Sequence, residues 1–377
     1  MTVQKKLGVG IIGLQPEHGW AARAHVPALR ALSNDFQIVG VANRSAESAR
    51  RAASYYDIEG TVGDVDDLVA SSDVDIVTVT VRVPGHFSLV KRALEAGKNV
   101  YCEWPLGRSR AEAEELAGLA RDRGVLGVIG TQARVTPAVV YLRNLVSSGQ
   151  LGTVLSTTIR GWGRGWGAAI ESAASEGYLL DPDNGATLVT IPIGHTMSAV
   201  RDIFGDIADL SSLVDSRRGV VRDSATGEAV PMSAPDEVAF IGHFASGVPF
   251  SVHYRGGVPR DEPGLSWDIQ GTEADVRVTA EPSGHVQMVP LHIQLRTGRE
   301  ERFRDVAVPE EPGAIPDDAI AGNVARLYAR MAGDLRAGTS NAPTFDDAVA
   351  LHHVVDAIVG STTLTRLPAA AANRLLP

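Results

Sequence analysis

The chain has 377 residues, a formal charge of −10, 44% hydrophobic and 21% charged residues, which is the composition of a globular protein long enough for two or three domains. The acidic balance, without a basic cluster, argues against nucleic acid as a partner, and no apolar run approaches the ~20 residues of a membrane span. The single cysteine, Cys102, excludes an intramolecular disulfide and a cysteine-only metal site; no His/Asp spacing suggests another metal site, so none is expected. A reducing, cytoplasmic compartment is the default expectation.

Lys5-Lys6 before an apolar run faintly resembles a signal peptide, but Leu7 to Ile12 reads better as a first strand, because glycines fall where a strand-to-helix turn needs them. Gly8-Val-Gly10-Ile-Ile-Gly13 matches G-x-G-x-x-G literally, yet it lies inside that strand. The phosphate-binding turn must follow it, and is therefore Gly13-Leu14-Gln15-Pro-Glu-His18-Gly19, with a helix starting near Trp20. Gly13 suits a tight turn and Gly19 a close backbone approach at a helix N-terminus. An ordinary glycine-rich turn accounts for the same residues about as well.

Further strands are expected at 36–42, 75–81, 99–102 and 125–130, with helices at 21–32, 46–56, 86–96 and 111–123 between them. This alternation predicts a doubly wound parallel sheet over residues 1–130. After about residue 150 strands follow one another at 153–160, 237–245, 249–254, 266–271, 275–279 and 285–295, with helices at 188–204, 317–336 and 345–361 and loops at 215–235 and 309–316. Residues 131–377 thus read as an α+β domain with a large, open, mainly antiparallel sheet. Runs such as Val238 to Phe244 and Phe250 to Tyr254 look apolar on both faces, which predicts a homodimer or homotetramer formed through the outer face of that sheet.

Several residue types suggest a site. Asn43-Arg44-Ser45 ends the second strand, where enzymes of NAD place an acid; the missing acid and Arg44 permit a 2′-phosphate, while Asn43 can hold an unmodified ribose, so NAD and NADP both remain open. Arg82, just after the expected strand 75–81, should face the cofactor and suits a pyrophosphate or a substrate anion. Arg160-Gly-Trp162-Gly-Arg164-Gly-Trp166 offers aromatic and guanidinium groups on a glycine-rich loop, fit for sugar stacking or equally for a subunit contact. Asp181, Asp183 and Asn184 read as caps for the helix after them.

Four stretches together resemble the Gfo/Idh/MocA oxidoreductases: the N-terminal nucleotide unit, Glu103-Trp104-Pro105, Gln132-Ala-Arg134-Val-Thr-Pro137, and Gly194-His195 on a helix ending at Phe204-Gly205. Within that family the chain is similar to the subgroup of the fungal galactose-regulon repressor, which shares the long phosphate loop with Gly-Trp, the Glu-Trp pair and Gly-His-Thr. The resemblance implies a Rossmann domain followed by a substrate domain, and hydride transfer between a sugar carbinol and nicotinamide. It also implies cofactor contacts from Gly13, Leu14, Gln15, His18, Gly19 and Trp20, from Asn43, Arg44 and Ser45, from Val81, Arg82, Pro84 and His86, and from Glu103, Trp104, Pro105 and Gln132. Substrate contacts are implied for Trp104, Arg134, Arg160, Trp162, Arg164, Trp166, Asp183 and Asn184.

The family's lysine and aspartate are missing, replaced by Trp104 and Ile191. His195 is left as the acid/base, with Tyr178 as a substitute acid or sugar ligand, and Trp104 as an indole wall on sugar or nicotinamide. Taken by itself, His195 reads as a hydrogen-bonded helix histidine under the sheet. The expected function is an NAD(P)-dependent enzyme on sugars, either a dehydrogenase or a redox-neutral NAD-dependent glycosidase. The alternative is a non-catalytic dinucleotide-binding regulator.

Overall fold

The computed structural model describes residues 5–17, 19–298, 300–309 and 315–361. Six strands, β1 (Leu7–Ile12), β2 (Phe36–Ala42), β3 (Thr61–Gly63), β4 (Ile76–Val79), β5 (Asn99–Glu103) and β6 (Gly127–Gly130), form one parallel sheet in the order β3-β2-β1-β4-β5-β6. Helices α1 (Val26–Ala31), α2 (Ala46–Tyr55), α3 (Val65–Ala70), α4 (His86–Glu95) and α5 (Arg110–Arg123) connect the strands. The sequence sets their starts: Ser45, Asp64 and Ser109 each accept a backbone N–H three residues on, and Gly124 stops α5 in the left-handed conformation. Strand order reverses between β1 and β4, so the carboxyl ends of these two strands open a crevice. The short β3 and α3 went unread because three and six residues carry too little periodicity.

The chain continues through α6 (Pro137–Ser147), β7 (Val154–Gly163), β8 (Ala169–Ile170), α7 (Ala173–Glu176) and α8 (Gly194–Phe204). There follow β9 (Ile207–Asp215), β10 (Val220–Asp223), β11 (Ala229–Pro231), β12 (Glu237–Phe244), β13 (Pro249–Gly256), β14 (Leu265–Gly271), β15 (Ala274–Ala280), β16 (His292–Thr297) and β17 (Arg304–Val306). Eight of these strands make a mixed sheet in the order β17-β16-β15-β14-β7-β13-β12-β9, antiparallel except where β7 runs parallel to β13. Strands β8, β10 and β11 form a small second sheet, so much of the expected loop 215–235 is structured.

Two expectations fail for physical reasons. The strand expected at 285–295 begins only at His292: Pro290 cannot donate to a ladder, and just upstream the Gly284 backbone packs so tightly on Trp162 that a Cβ there would lie 2.6 Å from the Trp162 nitrogen. The large sheet is also not apolar on both faces. Val238, Phe240, Phe250, Val252 and Tyr254 all point to the helix-covered side, whereas Ser211, Ser251, Thr158 and Arg160 face outward with Ile241 and Leu213 among them.

The last two helices, α9 (Ala319–Ala337) and α10 (Phe345–Gly360), return to the first sheet. Val324, Leu327, Tyr328 and Met331 of α9 join the core beneath β1 and β2, and α10, started by a Thr344/Asp347 capping box, packs on α5. No helix among the described residues is long and apolar enough to cross a membrane.

Candidate functional site

A cleft of about 760 Å³ opens where the carboxyl ends of β4 and β5 face α8 and the segment 281–289. Trp20, Val81, Arg82, His86, Glu103 and Trp104 line it from the first sheet's side, and Trp162, Arg164, Tyr178, His195, His285 and Gln287 from the other. Size and position are those of a small-molecule site at a topological switch point.

The dinucleotide loop fits its expected cargo. Gly13 has φ +101°, and a Cβ there would meet Val81 Cγ1 at 2.8 Å and Thr80 Oγ1 at 3.1 Å. Gly19 has φ +85° with open space where a side chain would stand, beside the π-helical turn Ala21–His25. Tyr55, the last residue of α2, and Tyr56 just past it latch the loop: the Glu17 N–H donates to the Tyr56 hydroxyl and the Tyr55 hydroxyl donates to the Glu17 carboxylate. The Trp20 Nε1 is buried without a partner on the cleft wall. A tight glycine turn, free backbone space and a preformed crevice are what a nicotinamide dinucleotide requires. Gln15 and Arg44 are exposed at this end, and His18 lies outside the described residues.

Several expected cofactor ligands instead hold the framework. Asn43 Nδ2 donates to the Leu14 carbonyl at 2.6 Å, Leu14 itself is in the core, and Ser45 caps α2. His86 is buried between the Pro105 and Val81 carbonyls, 2.6 and 2.9 Å from its ring nitrogens. Pro84 sits exposed in the 3₁₀ turn Val83–Gly85. Gln132 Nε2 donates to Glu103 at 2.7 Å, fixing that carboxylate at the cleft wall. The other carboxylate oxygen of Glu103 meets His25 Nε2 at 2.9 Å, and His25 Nδ1, the Tyr328 hydroxyl and Thr78 Oγ1 continue the chain at 2.9 Å each. His25 and Tyr328 are 303 residues apart, so no local pattern could announce this network.

The expected substrate ligands separate in the same way. Arg134 is taken by Asp202 and Asp347 away from the cleft, and Arg160 points outward toward Glu262. Asp183 is exposed and Asn184 donates to the Tyr178 carbonyl. Nor do the acids cap the long helix: Asp181 caps only the 3₁₀ turn Pro182–Asn184, while Thr187 and Thr190 cap each other. Trp166 borders the cleft but is 2% exposed, with its Nε1 donating to the Leu179 carbonyl. Trp162 and Arg164 do line the cleft, Arg164 paired with Glu171 at 2.9 Å.

Trp104 is 4% exposed, its Nε1 donates to the Thr190 carbonyl, and its ring lies 4.7 Å from that of His352. It is therefore mostly packing, presenting only part of its surface to the cleft. His195 is 4% exposed and its Nδ1 has no partner; burial first, and the nearby His285 second, push its pKa down to about 3. His285 is lowered to about 4 by burial. The Arg82 guanidinium lies 4.7 Å over the Tyr178 ring and donates to the Ala174 and Ser175 carbonyls. Burial raises the Tyr178 phenol above its ordinary range, with Arg82 opposing and Glu176 reinforcing. At neutral pH these rings are all uncharged. In sequence His285 and Gln287 read as part of a strand; the Pro-Ser-Gly and Pro290 punctuation is the signal against it.

Residues 7–131 match the oxidoreductase family with an NAD-binding Rossmann fold, and residues 137–280 match the Gal80p C-terminal domain. The galactose/lactose metabolism regulatory protein GAL80 of Saccharomyces cerevisiae is 26% identical over 94% of this chain and 92% of its own length. Dehydrogenase aclE of Aspergillus oryzae is 29% identical over 95% of this chain and 97% of its own. A crystal structure of a super-repressor mutant of Gal80p from Saccharomyces cerevisiae superposes with TM-score 0.86 at 26% identity, covering 95% of this chain and 96% of that one. Levoglucosan dehydrogenase in complex with NADH and levoglucosan shares the fold, with TM-score 0.79 at 21% identity over 95% and 97% of the two chains. Residues 7–131 thus form a Rossmann domain of the Gfo/Idh/MocA oxidoreductase family, joined to a C-terminal domain of the Gal80p type at residues 137–280.

Proposed function

We propose that this protein binds NAD or NADP at the Gly13–Gly19 loop and a sugar-like polyol in the cleft beside it, and that it works as a ligand-binding regulator and not as a fast dehydrogenase. The observation that carries this reading is the state of the proton-handling position. Trp104 stands where the family's lysine belongs, with its N–H committed to Thr190, and Ile191 stands where the aspartate belongs. His195 is left with a pKa of about 3, far below the working pH, and a ring that weakly basic takes up an alcohol proton poorly. The similarity to GAL80 across nearly the whole of both chains points the same way. When bound, the dinucleotide supplies a hydride acceptor; here the protein's own residues bind and orient a ligand against it.

A second reading, an NAD(P)-dependent sugar dehydrogenase or a redox-neutral glycosidase, is favoured by the unpartnered nitrogens of His195 and His285 in the cleft and by the full-length similarity to aclE. One experiment separates the two. The purified chain is titrated with NAD(H) and NADP(H) by calorimetry, then incubated with neutral and anionic sugars and glycosides while reduced cofactor and released sugar are followed. Micromolar dinucleotide binding without turnover is expected; sustained cofactor reduction or sugar release installs the enzyme reading.

A further inference from the structure

Besides Trp20 Nε1 on the nucleotide side, the cleft holds, among the described residues, three buried polar atoms with no partner, all on the opposite wall: His195 Nδ1, His285 Nδ1 and Gln287 Oε1. Buried polar atoms in folded proteins nearly always have partners, so three on one cavity wall mark a place that a ligand or water completes. His195 and Gln287 are each 4% exposed. Both supports are firm. His195 is carried on α8, and the 281–289 segment is pinned by Asn323 Nδ2 donating to the Gln287 carbonyl, by the Met288 N–H donating to the His285 carbonyl, and by the His285 N–H donating to Ser283 Oγ.

We propose that His285 and Gln287, with His195, form the hydroxyl-reading face of the cleft, and that the ligand it takes is an uncharged, hydroxyl-rich sugar or polyol. This deepens the binding reading above and rests on it.

The chemistry of the three atoms sets the ligand class. Gln287 Oε1 only accepts, so it needs an O–H or N–H donor. Each Nδ1 accepts or donates according to tautomer, which matches a hydroxyl that can do either. A carboxylate offers acceptors alone and leaves Gln287 Oε1 unsatisfied. On the His285 side the guanidinium groups that could attract an anion are engaged, Arg82 with the Ala174 and Ser175 carbonyls and the Tyr178 ring and Arg164 with Glu171, while the exposed Arg23 lines the cleft from the turn Ala21–His25 that follows the glycine loop, on the nucleotide side. Glu103 on the first sheet's side and Glu171 and Glu176 on the other add negative charge to the cleft that opposes a second anion. Trp162 gives the cleft an apolar ring face for the C–H surface of a sugar.

The test is calorimetric titration of the full chain, saturated with NADH, against levoglucosan, D-galactose, monodeoxy analogues of D-galactose, and D-galacturonate. Wild-type protein is expected to bind a neutral sugar more tightly than galacturonate. Gln287→Leu and His285→Phe should each weaken that binding about tenfold or more, because a site built to hydrogen-bond hydroxyls is left unpaired. NADH affinity of both variants should stay within about twofold of wild type, which separates loss of the hydroxyl contacts from damage to the fold. One monodeoxy analogue should bind wild type weakly and be indifferent to Gln287→Leu. Neutral-sugar affinity unchanged in both Gln287→Leu and His285→Phe, tighter binding of galacturonate, or no sugar binding by NADH-loaded wild type overturns the proposal; in the first case the orphan atoms serve water alone. Failure of NADH itself to bind defeats the underlying dinucleotide reading, a separate and recognisable outcome.

Discussion

The Trp104 indole N–H donates to the Thr190 carbonyl over 2.6 Å, and the same ring edge occupies the space over Gly194, where a Cβ would lie 2.6 Å from Nε1. Tryptophan and glycine are thus a fitted pair between β5 and α8. Trp104→Lys would place an unpaired ammonium in that gap and should destabilise the chain by about 3–5 kcal/mol in urea unfolding. It should not restore sugar-dependent cofactor reduction. Gly194→Ala should cost about 1–3 kcal/mol by overpacking. A stable Trp104→Lys protein that reduces NAD with a sugar would show the lysine site to be intact beneath the indole.

Gly13→Ala tests the nucleotide loop. The substitution is strained at φ +101° and drives a methyl into Val81. NADH affinity in calorimetry should fall by at least about tenfold, that is by about 1.4 kcal/mol. Unchanged affinity would place the dinucleotide elsewhere. Arg44→Asp, at the exposed end of β2, should shift preference from NADP toward NAD if the guanidinium meets a 2′-phosphate.

His195→Ala and Tyr178→Phe should leave dinucleotide affinity within about twofold, because neither side chain belongs to the glycine loop, and His195→Ala should weaken sugar binding by about tenfold. In the enzyme reading the same His195 change lowers turnover by ~10²–10⁴-fold, and Tyr178→Phe lowers it less. Paired binding and rate measurements on both variants decide between them.

Acid should destabilise the chain through its buried histidines. His195 is held near a pKa of 3, and His352 near 4, mainly by burial, against 6.5 for a free ring. Below about pH 6.5 the unfolded chain takes up protons that the folded chain refuses, so stability is full above that pH and falls as pH drops toward 4. Each ring adds a slope of about 1.4 kcal/mol per pH unit in that window. His352→Met should remove one such increment, read as a shallower dependence of urea stability between pH 6 and 4 at the flank of Trp104. An unchanged slope would mean His352 is charged in the fold.

With the outer face of the large sheet mostly polar, assembly through it rests on its few exposed apolar residues, Ile241, 61% exposed and set in register between Ser211 and Ser251, and Leu213, 41% exposed. Sedimentation of the wild type should give a dimer or tetramer that Ile241→Asp dissociates. A concentration-independent wild-type monomer removes this expectation.

Local physics made much of the molecule legible. The alternation of β-branched runs with capped helices specified the parallel sheet, and placing β1 at Leu7–Ile12 turned the literal G-x-G-x-x-G into a strand, which leaves the tight turn after it to Gly13. Periodicity also marked α8 and therefore the helix carrying His195, because amphipathic helices advertise themselves over ten or more residues. What it could not reveal was which polar groups are already engaged. Arg134, His86, Gln132 and Asn43 look like ligands in one dimension, yet each has a partner brought from elsewhere in the chain. His285 and Gln287 looked like strand, and only the packing of Gly284 on Trp162 turns them into the cleft. The same holds for Glu103, His25 and Tyr328, joined across 303 residues by α9 returning under the first sheet. Residue type and spacing determine the local element and its chemistry; whether a polar atom is free to meet a ligand depends on long-range hydrogen bonding and burial, which the tertiary fold alone decides.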